Sequence, residues 1–184
     1  MNCSGIILCG GRGSRMGGVD KGLVSIDGKP LAERVALRFA PQVQQVLISA
    51  NRNASEYRRL GYEVIADSMA DFQGPLAGIA ACLPHCDQEL VAVVSCDTPA
   101  LPLDLVSRLG QALADPEVDL SFAHDGQRSQ YLCTLMRRSL LARLNRYLSE
   151  GGRAVRNWHS QLNVTAVDFS DQFDAFANLN RLQE

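Results

Sequence analysis

Apolar residues fall along the chain in two alternating patterns. Short, nearly continuous runs occupy Ser4 to Cys9, Val46 to Ala50, Val64 to Ala66, Leu90 to Cys96, Leu120 to Ala123, Leu132 to Met136 and Val164 to Phe169. Between them lie stretches with helical spacing, near Leu31 to Ala40, Ser55 to Leu60, Leu76 to Leu83, Leu103 to Ala114 and Ser139 to Leu148. The first pattern predicts strands and the second amphipathic helices, so the chain reads as α/β. A run such as Leu90-Val91-Ala92-Val93-Val94 offers no polar face to water, which predicts a strand covered on both sides and a mostly parallel sheet between helical layers. Asp27-Gly28-Lys29-Pro30 reads as a turn with Pro30 opening the next helix, and Asp125-Gly126 as a hairpin turn between later strands. No linker, repeat or shift in composition divides the 184 residues, so a single domain over 1–184 is expected.

The most informative break in the pattern follows the first strand, where Leu8 to Leu23 read LCGGRGSRMGGVDKGL. Glycines let the backbone turn through positive φ and bring several N–H groups close to an anion. Arg12, Arg15 and Lys21 supply three cations within ten residues, more than a plain surface turn needs. The loop therefore predicts a phosphate-binding element. It is not a Walker loop, because Gly22 follows Lys21 where Ser or Thr is required. Nor does it complete G-x-G-x-x-G, since Met16 stands at the third glycine position.

Composition narrows the ligand. A formal net charge of −2 gives no basic surplus for duplex nucleic acid, so the phosphates belong to small molecules. No run reaches the length of a membrane span and the chain enters its first strand without a signal-peptide pattern, so a cytoplasmic protein is expected. The six cysteines, Cys3, Cys9, Cys82, Cys86, Cys96 and Cys133, lack paired C-x-x-C spacing and read as reduced, buried thiols. Cys9 and Cys96 lie beside the best motifs, where oxidation would matter most.

In an open α/β sheet, ligands collect at the carboxyl ends of strands. The glycine loop after Leu8, Asp67 after the Val64 run and Asp97 after the Leu90 run all fall at such ends. Transfer of a nucleotidyl group asks for an attacking phosphate oxygen aligned with the α-phosphorus and for neutralisation of the leaving pyrophosphate. Lys21 and Arg15 suit the second task, Lys21 as a point charge and Arg15 as a two-pronged donor. Asp97 suits a hydrated Mg²⁺ that bridges triphosphate oxygens, or else caps a helix starting near Pro102.

The pattern L-x-G-G-x-x-x-R-M-G-G-x-D-K-G-L at Leu8 to Leu23 resembles the signature of the molybdenum cofactor guanylyltransferases, the MobA family of nucleotidyltransferases. Val64 to Ser68, Gly74-Pro75-Leu76-Ala77-Gly78, Cys96-Asp97-Thr98-Pro99 and Val167 to Asp171 follow in the family's order, and the likeness spans nearly the whole chain. The resemblance implies a Rossmann-like, three-layer α/β/α sandwich. It implies transfer of GMP from GTP to molybdenum-bound molybdopterin, with Mg²⁺ on Asp97, pyrophosphate as leaving group and the guanine dinucleotide as product. It also implies molybdenum-insertion proteins and apo-molybdoenzymes as partners. By the same resemblance Leu8, Cys9 and Gly10 offer backbone contacts to the base, Asp67 a polar contact to the nucleoside, and Ser49 and Asn51 stand at the family's Asn-x-Asn.

Guanine carries N1–H and N2–H₂ donors on one edge, so carbonyls or a carboxylate there select it over adenine. Three departures from the family pattern stand out: Cys9 for alanine, Ser49 for asparagine, and Arg181-Leu182 for Thr-Pro after Asn178-Leu179-Asn180. Arg153 and Arg156 are either ligands for the polyanionic pterin or exposed helix charges. The alternatives to guanylyl transfer are a related nucleotidyltransferase acting with CTP or on a sugar phosphate, and a noncatalytic module that delivers nucleotide or cofactor.

Overall fold

The computed structural model describes residues 1–9, 20–67 and 74–177. Its strands are β1 (Cys3–Leu8), β2 (Ser25–Ile26), β3 (Lys29–Pro30), β4 (Gln45–Ser49), β5 (Glu63–Ile65), β6 (Leu90–Ser95), β7 (Leu120–His124), β8 (Ser129–Arg137) and β9 (Val164–Asp168). The helices are α1 (Leu31–Phe39), α2 (Ala54–Arg58), α3 (Pro75–Cys82), α4 (Leu105–Ala112), α5 (Leu141–Ser149) and α6 (Val155–His159). All strands but β2 and β3 form a seven-stranded sheet in the order β5-β4-β1-β6-β8-β7-β9. Within it only β8 runs antiparallel, pairing with β6 on one side and β7 on the other.

The alternation of side chains along each strand builds two cores. Cys3, Ile7, Ala92 and Val94 face α1 and α4, whereas Ile6, Leu8, Val91 and Val93 face α3 and α5. Because β1 and β6 are apolar on both faces, they sit at the centre of the sandwich. Helix α1 covers its side with Leu31, Ala32, Val35, Ala36 and Phe39, a single stripe at helical spacing. The fold class read from the sequence, α/β with a mostly parallel sheet between two helical layers, is the fold observed.

Local turn chemistry agrees as well. Asp27 and Gly28 take φ of 50° and 77°, the left-handed pair that joins β2 to β3. Pro30 falls one residue earlier than expected, in the cap position before α1. Asp125 accepts the N–H groups of Gln127 and Arg128 at 2.8 and 2.6 Å, closing the β7–β8 hairpin. Among the described residues, no helix is long and apolar enough to cross a membrane.

Candidate functional site

Strands β5, β4, β1, β6 and β7 share one direction, so their carboxyl ends lie along one edge. The ladder runs one residue beyond three of them: Cys9 N–H donates to Ser49 O at 2.9 Å, Ala50 N–H to Ile65 O at 3.0 Å, and Cys96 N–H to Leu8 O at 3.1 Å. These bonds hold the loop entrances against each other. Leu8, Cys9, Asn51, Asp67 and Asp97 therefore lie along one edge of the sheet, at the carboxyl ends of its strands.

Across this edge Lys21 Nζ stands 3.9 Å from Asp97 Oδ2, with the two side chains 31% and 23% exposed. A pair so open to solvent adds little to stability. Its value lies in setting a point cation and a carboxylate side by side at the strand ends. Asp97 caps no helix: α4 begins at Leu105, with Asp104 in the cap position. The helix-cap alternative for Asp97 is thereby excluded, which leaves the carboxylate for another role. Among the described residues no group of three His, Cys, Asp or Glu side chains comes together to hold a metal. A single carboxylate is nonetheless what Mg²⁺ takes from a protein when waters and phosphate oxygens supply its remaining ligands.

Asn51 and Asp67 form a reciprocal pair. Asn51 Nδ2 donates to Asp67 Oδ2 at 2.7 Å, and the Asp67 N–H donates to Asn51 Oδ1 at 2.9 Å. Asp67 Oδ1 is left buried with no hydrogen-bond partner among the described residues. An enclosed carboxylate oxygen without a donor is unfavourable unless a ligand supplies one. Ser49 is 4% exposed, with its hydroxyl on the α3 side, where a Cβ on Gly78 would come within 2.4 Å. It is enclosed by packing, unlike the neighbouring pair.

The Gly74 loop reaches the same edge. Gly74 takes φ of 87°, a conformation that favours glycine, and Pro75 follows as the first residue of α3. The Gly74 Cα faces the carbonyl of Arg153, where an added Cβ would stand 4.0 Å away. The Arg153 guanidinium donates to Leu148 O at 2.8 Å and Gly152 O at 2.6 Å, whereas Arg156 is exposed on α6.

All six cysteines are free and buried. Burial raises the Cys9 thiol well above its ordinary pKa, with the nearby Cys96 adding to the effect. Cys133 is pushed up to about 12 by burial and by the charge of Asp97. Cys82 and Cys86 are raised to about 12 and about 11, chiefly by burial, which suits packing and not metal ligation.

Gly10, Arg12 and Arg15 of the glycine loop, Ser68, and Asn178 to Leu182 lie outside the described residues. The sequence did not single out Asp20, Asn53 or Tyr57. Tyr57 O–H donates to Asp20 Oδ1 at 2.5 Å and Asn53 Nδ2 to Asp20 Oδ2 at 2.9 Å, tying α2 to the residue before Lys21. Only the position of Asp20 inside the loop motif carried a signal for this network.

Comparison with known proteins shows the family. The MobA-like NTP transferase domain family matches residues 5–164. The molybdenum cofactor guanylyltransferase of Photobacterium profundum is 44% identical over 98% of this chain and 92% of its own length. The protein of the same name from Bordetella petrii is 45% identical, covering 98% of this chain and 94% of its own. Among solved structures, molybdopterin-guanine dinucleotide biosynthesis protein A from Archaeoglobus fulgidus superposes with a TM-score of 0.77, covering 96% of this chain and 92% of that one at 24% identity. The family model over residues 5–164 and the identity of 44% and 45% along nearly the full length place this chain in the MobA-like NTP transferase family, with the molybdenum cofactor guanylyltransferases as its relatives.

Proposed function

We propose that this chain transfers GMP from GTP to the terminal phosphate of molybdenum-bound molybdopterin, releasing pyrophosphate and forming the guanine dinucleotide cofactor. Full-length identity of 44% and 45% to molybdenum cofactor guanylyltransferases supports the activity. The observation that carries the site is the Lys21–Asp97 juxtaposition at the ends of the parallel strands.

In this reading Lys21 lies against the triphosphate, where it offsets the charge that grows on pyrophosphate as the bond to the α-phosphorus breaks. Arg15 assists from the glycine loop as a bidentate donor to phosphate oxygens. Asp97 would hold Mg²⁺, which would supply charge neutralisation to the phosphate oxygens. Leu8, Cys9 and Gly10 border the base through their backbone. Asp67 accepts from the nucleoside through Oδ1, which has no partner among the described residues, while Asn51 holds its other oxygen. Ser49 supports β4 beneath them, and Arg153 keeps the chain beside Gly74 in place.

Asp97→Asn tests the site, because it keeps size and shape but removes the charge for the metal. Turnover at saturating GTP over a Mg²⁺ titration is expected to fall by at least about two decades, equivalent to roughly 2.7 kcal/mol, with the melting temperature retained. Parental turnover with parental Mg²⁺ dependence would remove Asp97 from the metal site.

A further inference from the structure

Tyr57 is wholly buried on α2, yet its hydroxyl reaches the chain segment that follows residues 10–19. The hydroxyl donates to Asp20 Oδ1 at 2.5 Å, and the same oxygen accepts the Gly22 N–H at 3.3 Å. The second Asp20 oxygen accepts from Asn53 Nδ2 at 2.9 Å. Gly22 passes so close above the phenol that a Cβ there would come within 2.3 Å of the hydroxyl. Between Asp20 and Gly22 stands Lys21, which opens a short 3-10 turn closed by Val24 N–H on Lys21 O at 3.1 Å.

We infer that Tyr57 is a positioning residue for Lys21: through Asp20, its hydroxyl fixes the turn from Asp20 to Gly22 so that the Lys21 ammonium faces Asp97 at the strand ends. The inference rests on the role given to Lys21 above. A lysine side chain has several rotatable bonds, so its charge is aimed only as well as its backbone is held. Here the backbone is held by hydrogen bonds to a carboxylate, which are stronger than neutral ones, and the donor is shielded from water. Burial raises the phenol pKa above its ordinary value, so the hydroxyl keeps its proton and remains a donor throughout the working range. Asp20, with both oxygens engaged, serves as the connecting group and not as a second metal ligand.

The test is Tyr57→Phe in the full chain, which removes one oxygen and keeps the buried ring, assayed with GTP, Mg²⁺ and molybdenum-molybdopterin. Loss of a hydrogen bond to a charged group predicts a kcat lower by about ten- to a hundredfold. Asp20→Asn, a partly exposed site that removes the charge without changing the shape, is expected to show the same loss, and the two substitutions together no more than either alone. In a Lys21→Ala background Tyr57→Phe is expected to add nothing, because it acts through that lysine. A purely structural tyrosine would lower the melting temperature while the folded variant kept the parental kcat, and that result overturns the inference. So does a Tyr57→Phe effect that multiplies with Lys21→Ala. A Lys21→Ala variant with parental turnover would instead sink the role of Lys21 itself, and the inference with it.

Discussion

At Asp67 the two carboxylate oxygens have different fates, one bonded to Asn51 and the other buried without a donor among the described residues. On the role proposed for Asp67, Asp67→Ala is expected to remove a ligand acceptor without breaking the fold. GTP affinity measured by calorimetry is expected to fall by about one to two decades while the melting temperature holds. Ser49→Ala is expected to leave that affinity unchanged, since the hydroxyl is enclosed beneath Gly78. His159 gives a pH-dependent counterpart. It is 3% exposed among Phe122, Tyr131 and Trp158, and burial lowers its pKa from 6.5 to about 4. Its neutral form is the one that packs, so between these two values the unfolded chain binds a proton that the folded chain refuses. Stability is then complete above about 6.5 and declines as pH falls towards 4, by up to about 1.4 kcal/mol per pH unit. His159→Phe is expected to flatten that part of the melting-temperature profile relative to the parent, and parallel profiles would refute the assignment.

Elements pack here through small residues placed under large ones. Gly5 on β1 lets α1 lie close, since a Cβ there would come within 2.6 Å of the Phe39 ring. Gly5→Ala is expected to destabilise the fold by about 1–3 kcal/mol through overpacking, and Phe39→Leu in the same chain to recover part of the loss in a thermal melt. Each of the seven apolar runs became a strand of the main sheet; continuous burial on two faces marks β1 and β6, whereas β5 and β9 are only partly buried. The sequence boundaries at Cys9, Ala50 and Cys96 even follow the ladder bonds that extend past the strand ends. Strand order was only partly legible: the Asp125-Gly126 hairpin predicts the antiparallel β7–β8 pair, but nothing in Leu132 to Met136 says that β8 lies between β6 and β7. Helix α6, only five residues long and starting three residues after Gly152, was too short to show a periodic stripe. At the site, Asp67 and Asp97 were legible because strand ends converge, whereas the buried Tyr57 looked like any core aromatic until its hydroxyl was seen on Asp20.

For the molecule as a whole, the parallel strands bring the segments after β1, β4, β5 and β6 to one edge, and the charged side chains that suit phosphate and metal collect there. The sandwich itself serves nucleotidyl transfer in general, so under the proposed function the choice of guanine lies with the backbone around Leu8 and Cys9 and with the Asp67 oxygen that has no donor among the described residues. Turnover of molybdenum-molybdopterin against each of the four nucleoside triphosphates, with Mg²⁺ present and the dinucleotide product identified by mass, reads that choice directly. The expected result is stoichiometric pyrophosphate and guanine dinucleotide from GTP, with little product from ATP, CTP or UTP. Equal or faster turnover with CTP, or nucleotide binding without any dinucleotide formed, would contradict guanylyl transfer as the function of this chain.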